Sequence, residues 1–363
     1  MSILIFIIIL GILIFVHELG HFLVAKKAGV RVDEFAIGFP PRLFSFKKGE
    51  TTYAINLIPL GGYVKIFGES ADEESLDPNR KDSFINKSRW VQAAVLVGGV
   101  VFNIIFAWIL LSISLMFGFP TIVSDQNRDQ ITESYVVVTN VFEDSPASSA
   151  GLQAGDQILN LSAGENSISY TDLTVSSLQE FIASSESEVN FEIIRSGENM
   201  NLAILPESGI VGDNPAVGIG IDRIGRLQLG FFSAFVQGFT MTGQMMIDMT
   251  TGIGTLLGQA FTGNGSLDDV AGPVGIVGLV GNAANFGITY LLGFTAFISI
   301  NLAVLNILPL PALDGGRLVI VLIEGILNKR IKPEIVNSVN TVGFLALILL
   351  MIVITINDVI RLF

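Results

Sequence analysis

The stretch MSILIFIIILGILIFVHELGHFLVA, residues 1–25, decides how the rest of the chain is read. No charged side chain occurs between Met1 and Val16, and apolar residues resume after His21. A run this long and apolar predicts a membrane-spanning helix. Two imidazoles and a carboxylate are costly inside such a helix and mark it as functional. His17 and His21 are four residues apart and share one helix face, with Glu18 about 100° round from His17. This HExxH arrangement is the metalloprotease pattern: two zinc-ligating imidazoles and a carboxylate placed to act as base. The rival reading is that these polar residues are merely satisfied by helix packing.

Composition agrees with a membrane protein. The mean hydropathy is +0.64 and only 15% of residues are charged. There is no cysteine, which excludes disulfides and thiolate metal sites. The only two histidines lie in the motif, so a third zinc ligand has to be Asp or Glu. A net charge of −13 argues against a nucleic-acid partner and points to an acidic, solvated domain. No Lys or Arg precedes Lys26 and no small-x-small site follows the apolar run, so the first helix is expected to be retained rather than cleaved as a signal peptide.

Basic residues set the expected orientation. Eleven of the twenty Lys/Arg lie between Lys26 and Arg89, whereas Phe119 to Leu292 holds only Arg128, Arg195, Arg223 and Arg226. The first loop is therefore expected in the cytoplasm and the second region outside. Within the loop, Arg42–Lys48 and Thr51–Leu57 alternate around a Lys-Gly-Glu turn and predict a β-hairpin. The apolar segment from Ile58 to Gly68 is either a sheet dipping into the membrane beside the histidines or a small sheet packed on the helix ends; the pattern leaves both open. Residues 69–82, rich in Asp and Glu, read as a mobile surface loop.

A second span is expected over 91–118. It contains Gly98-Gly99, suited to close helix contact, and Asn103, either interhelical glue or a substrate contact. From 132 to 207 the pattern is that of a small α+β domain, and the string from Ser145-Pro146-Ala147 through Gly155-Asp156 to Leu159 resembles the PDZ domains of bacterial proteases. Residues 231–259 are apolar but carry Gln237, Gln244 and Asp248, which suits a helix lying on the outer surface. Near the C-terminus, Asn306-Ile-Leu-Pro-Leu-Pro-Ala-Leu-Asp314-Gly-Gly places a carboxylate on backbone broken by Pro309 and Pro311. Asp314 is the best candidate for the third zinc ligand; its rival, Glu324, lacks the Pro/Gly setting.

HELGH, LGGYVKIFGE, the PDZ-like insert, GPVGI and NILPLPALDGG follow one another as in the bacterial site-2 proteases, which the chain resembles over almost its whole length. The branch it resembles cleaves anti-sigma factors and signal-peptide remnants. The resemblance implies Zn2+ held by His17, His21 and Asp314, with Glu18 as the catalytic carboxylate. It implies substrate contacts from Asn306 and from the strand containing Gly61, Gly62, Tyr63 and Val64. Some members carry two PDZ domains, whereas this chain has room for one. The expected fold is an α-helical polytopic membrane protein with four transmembrane helices (1–27, 91–118, 288–327 and 340–358). A cytoplasmic, membrane-associated β-structure (28–90), an extracytoplasmic PDZ-like domain (132–207) and extracytoplasmic surface helices (230–287) complete it. The expected function is hydrolysis of peptide bonds in or near transmembrane segments of membrane proteins, in the bacterial cytoplasmic membrane with lipid as surroundings. The alternative of another class is a catalytically silent PDZ scaffold; a single polar cluster across the membrane argues against a metal transporter.

Overall fold

The computed structural model describes residues 1–360 except 70–76, 78, 124–130, 170–172, 186, 196, 211–213 and 263–270. Most of the acidic segment 69–82, and part of the 230–287 region, thus lie outside the described residues. The chain divides into two compact units, one formed by 1–114 with 231–363 and the other by Leu115–Gly230.

In the first unit, helix α1 (Ser2–Lys27) leads into strands β1 (Val32–Lys48) and β2 (Thr51–Ile66), and then into α2 (Arg89–Phe117). Among the described residues, four helices are long and apolar enough to cross a membrane: α1, α2, Ile288–Ile307 and Pro333–Ile360. The sheet is more extensive than the hairpin read from sequence. Phe44–Lys48 pair with Ile55–Thr51 around Gly49, which has φ +63°, and Val32–Ile37 pair with Ile66–Gly62. Phe22, Ala25, Val32, Phe35, Ile66, Val95 and Leu96 form one buried cluster, which packs the sheet against the HExxH end of α1 and the first turns of α2.

The second unit is a seven-stranded sheet. It comprises β3 (Phe119–Ile122), β4 (Ile131–Val141), β5 (Gln157–Ala163), β6 (Asn166–Ser169), β7 (Val189–Arg195), β8 (Glu198–Ile204) and β9 (Ile219–Leu227), with the short α3 (Pro146–Ser149) and α4 (Val175–Ala183). The strand order is β3-β9-β4-β5-β7-β8, with β6 on β5. The unit extends past Glu207 because β9 pairs along the length of β4. Gly220, Asp222, Arg223, Gly225 and Arg226 break the alternation of that strand, so its pattern does not announce it. Val138, Ile158, Leu161, Leu178, Phe191 and Ile193 fill the core. At its margin Asp156, 1% exposed, receives Arg195 Nη2 at 2.6 Å and Nε at 2.7 Å and the Gln153 N–H at 2.8 Å. Hydrogen bonding to that carboxylate pushes the Arg195 guanidinium above its usual range.

Back in the first unit follow α5 (Phe231–Thr262), α6 (Pro273–Asn285), α7 (Ile288–Ile307), α8 (Asp314–Leu327) and α9 (Pro333–Ile360). The single span expected over 288–327 is two helices. Leu308, ahead of Pro309, is extended at φ −60°, ψ 145°, which ends α7 at Ile307. Ala312 then takes φ +71°, and Asp314 opens α8. A Cβ on Gly315 would lie 2.2 Å from Leu308 O, and one on Gly316 2.1 Å from Leu310 O, so only this Gly pair lets α8 fold back under the break. The GPVGI segment starts α6, whose Gly272 and Gly275 N–H groups donate to Asp358 of α9 at 3.0 and 2.8 Å.

Replacing Asp156 with Ala strands the partly buried Arg195 and is expected to cost about 3 kcal/mol. Hydrogen exchange on the full chain reads the result: amides of β5 and β7 should exchange about a hundredfold faster, with α1 and α2 unchanged.

Candidate metal centre

The centre begins with glycine. α1 and α2 run antiparallel and touch through Gly20, Gly98 and Gly99. A Cβ on Gly20 would lie 2.4 Å from Gly98 O, and one on Gly99 would lie 2.4 Å from His21 Nε2 and 2.7 Å from His17 Cε1. Backbone therefore meets backbone, and both imidazoles fit in the gap above Gly99. His17 and His21 are 7% and 6% exposed, with ring centroids 4.7 Å apart.

Asp314 arrives from the start of α8. Its Oδ2 lies 3.0 Å from His17 Nε2 and 3.2 Å from His21 Nε2, and the two Nε2 atoms are 3.1 Å apart. His21 Nδ1 donates to Val95 O at 2.8 Å. A neutral His21 so held presents a bare Nε2, and this lone pair points at a carboxylate oxygen and at the other ring. Acceptors that converge in a buried site call for a cation between them. Among the described residues this is the one group of His, Asp and Glu able to hold a metal ion, its ligand atoms all within 4.8 Å of one another. The triangle is close to the edge of about 3.3 Å that tetrahedral ligands take at zinc bond lengths of about 2.0–2.1 Å. Two imidazoles and a carboxylate are also a donor set that zinc accepts in catalytic sites, leaving a fourth position open. The residues present fit the ion.

Glu18 sits beside this triangle, half-buried, and its Oε2 accepts the Val64 N–H at 2.9 Å. The sheet thus aims the carboxylate through one backbone group. Gly61 and Gly62 are buried; a Cβ on Gly62 would meet Ala36 O at 2.6 Å, so this glycine lets two strand segments lie together. Tyr63 turns its hydroxyl away to donate to Glu34 at 2.9 Å. Asn306 is half-buried on the last turn of α7. Asn103 is fully buried with its side chain against His17, and offers no surface to a substrate. Glu324 belongs elsewhere: Arg89 Nη1 lies 2.6 Å from its carboxylate, which also accepts the Ile331 N–H at 2.8 Å. A cleft lined by Ala312, Asp314, Arg317, Asn340, Thr341 and Phe344 opens on the Asp314 side. The roles of Val95 and Val64 have no sequence signal, because backbone groups act there.

Membrane-length helices and an HExxH helix completed by a distant carboxylate define a membrane-embedded metallopeptidase. The sequence matches Peptidase family M50 over residues 5–350, and the chain belongs to that family. It is 32% identical to the regulator of sigma-W protease RasP of Bacillus subtilis, covering 99% of this chain and 98% of that one. It is 36% identical to a putative zinc metalloprotease of Clostridium perfringens (96% and 95%) and 31% identical to the zinc metalloprotease RasP of Bacillus licheniformis (99% and 98%). A solved PDZ domain of an SdrC-like protein from Listeria innocua aligns with 24% of this chain and 92% of its own, at 24% identity and a TM-score of 0.21. The chain is thus a zinc-dependent membrane metalloprotease.

Gly99→Ala places a methyl group on His21 Nε2. Zinc content of the purified protein should fall below about a tenth of wild type, whereas Gly243→Ala, whose Cβ meets nothing within 4 Å, should leave it unchanged.

Proposed function

We propose that His17, His21 and Asp314 hold the catalytic zinc, that Glu18 is the general base, and that the enzyme cleaves membrane proteins in or beside their transmembrane segments. The observation that carries this reading is the convergence of the three ligand atoms within 4.8 Å, with Glu18 held alongside by the Val64 N–H. Zinc supplies Lewis acidity, for activating water and polarising the scissile carbonyl. Glu18 accepts the proton of the attacking water and delivers it to the leaving amine nitrogen. A helical substrate hides its carbonyls, so it has to be held extended. The Gly61–Phe67 segment supplies a strand edge next to Glu18 for this, and Asn306, at the end of α7, supplies an amide donor to the substrate backbone. Leu43, Phe44 and Phe46, exposed at the hairpin end beside Lys47 and Lys48, support a sheet resting in the membrane interface.

The relative's name, regulator of sigma-W protease, supports a substrate of the anti-sigma-factor class; signal-peptide remnants suit the same site. The topology follows from parity. α1 runs inward, α2 outward, α7 inward and α9 outward, in the bacterial cytoplasmic membrane. The 115–230 unit then faces outside as a PDZ-like domain that screens substrates, and α5 lies on the outer surface. Asp248, bonded to Gln244 at 2.8 Å, and the exposed Phe231, Phe232, Phe235 and Phe239 suit a helix that lies along the interface.

Glu18→Gln removes the base but no ligand, so proteolysis of a transmembrane substrate should cease while one zinc per chain persists by metal analysis. Asp314→Ala should lose both, and Glu324→Gln should keep both; metal loss in the Glu324 variant would reassign the third ligand. Topology is tested by single cysteines at Ser208 and Asn285 in this cysteine-free chain. Both should react with an impermeant reagent outside intact cells; labelling of Ser208 alone would rule out four spans.

A further inference from the structure

Three residues of α2 face the histidines at intervals of four: Val95, Gly99 and Asn103. Each has its own part. Val95 O takes the Nδ1 proton of His21 at 2.8 Å. Gly99 leaves room for both rings. Asn103 lies one turn further on, with its side-chain amide 3.3 Å from His17 Nδ1.

Asn103 is 0% exposed in the middle of an apolar helix. Its amino end faces His17 Nδ1, while its Oδ1 is buried with no hydrogen-bond partner. Neither end of this side chain reaches solvent, so its orientation depends on whether His17 Nδ1 carries a proton; with Nε2 turned to a metal, Nδ1 carries it and needs an acceptor. The two ends of a primary amide have the same shape, so a half-turn brings Oδ1 to His17 Nδ1 with no other atom moving. His17 Nδ1–H then donates to Asn103, and the bare Nε2 of His17 joins that of His21 toward Asp314. The seat is firm: Ser299 Oγ of α7, itself fully buried, donates to the backbone carbonyl of Asn103 at 2.9 Å. This bond ties α2 to the helix that leads into the Asp314 segment.

We propose that Asn103 is a positioning residue for the metal centre: its carbonyl accepts the Nδ1 proton of His17, and so holds that ring in the tautomer and orientation that present Nε2. It is the side-chain counterpart of the Val95 carbonyl behind His21. The partner behind a ligating imidazole fixes its tautomer and raises its basicity, and its loss typically weakens metal binding 10–100-fold. The inference rests on the reading of His17 as a zinc ligand.

The test uses the full-length protein in detergent, in wild-type, Asn103→Leu, Asn103→Asp and His17→Ala forms. Zinc affinity is measured by competition with a chromogenic chelator. Asn103→Leu keeps the volume without an acceptor and should bind zinc 10–100-fold more weakly. Asn103→Asp keeps the acceptor and should stay within about threefold of wild type. The chain has only two histidines, so 15N-histidine labelling gives a second readout of the zinc-loaded protein. Wild type and Asn103→Asp should each show two slowly exchanging Nδ1–H protons, and Asn103→Leu only that of His21. Wild-type affinity and two protected protons in Asn103→Leu would overturn the proposal, as would an Asn103→Asp variant no better than Asn103→Leu. Undiminished zinc in His17→Ala would instead remove the ligand reading beneath it. Where Asn103→Leu does not fold, the wild-type spectrum decides alone: a single protected Nδ1–H overturns the proposal.

Discussion

The close contact between α1 and α2 is the constraint on which the rest of this structure depends. It exists because Gly20, Gly98 and Gly99 carry no side chain: a methyl on Gly20 would overlap the Gly98 carbonyl, and one on Gly99 would overlap both imidazoles. In a membrane there is no hydrophobic drive between helices, so shape and buried polar contacts decide which faces meet. Once these faces meet, the Val95 carbonyl and the Asn103 amide stand directly behind the two rings. The geometry of α2 thereby sets the geometry of the candidate metal centre.

The same small-residue logic recurs where the carboxylate is delivered. Pro309 and Pro311 end α7, and Gly315 and Gly316 allow the next helix to tuck beneath the break, so that Asp314 begins α8 facing α1. Gly343 of α9 lies against Pro311, where a Cβ would sit 2.3 Å from the proline Cβ. The Asp314 end of the site is therefore built on irregular backbone that neighbouring helices cover, which is how such backbone is tolerated at membrane depth.

Several buried polar side chains in the first unit have identifiable partners. Asp358 accepts two N–H groups at the start of α6, Glu324 is paired with Arg89, and Ser299 bonds the backbone of Asn103. Glu18 is held by the sheet through Val64. The strand proposed to hold an extended substrate is therefore the same one that bonds the proposed base. Movement of this edge would move Glu18 with it.

Much of this could be read from the chain alone. The apolar run through Val16 followed by HELGH places two imidazoles on one helix face, because helical spacing is a local property. The count of two histidines and no cysteine confined any third ligand to a carboxylate, and the Pro/Gly setting singled out Asp314 over Glu324. The hairpin turn at Gly49 was legible from alternation, whereas β9, with its scattered Gly and charged residues, was not. The interruption at Pro309 and Pro311 was legible, but not the separate helix that starts at Asp314, since proline shows that a helix is disturbed but not where the chain goes next. Only the tertiary structure decided that Asp314 faces His17 across 297 residues of chain, that Asn103 stands behind His17, and that Val95 and Val64 act through backbone atoms. The physical reason is that every residue carries the same N–H and C=O, so their use depends on which helix or strand packs there, and packing is not a local property of the sequence.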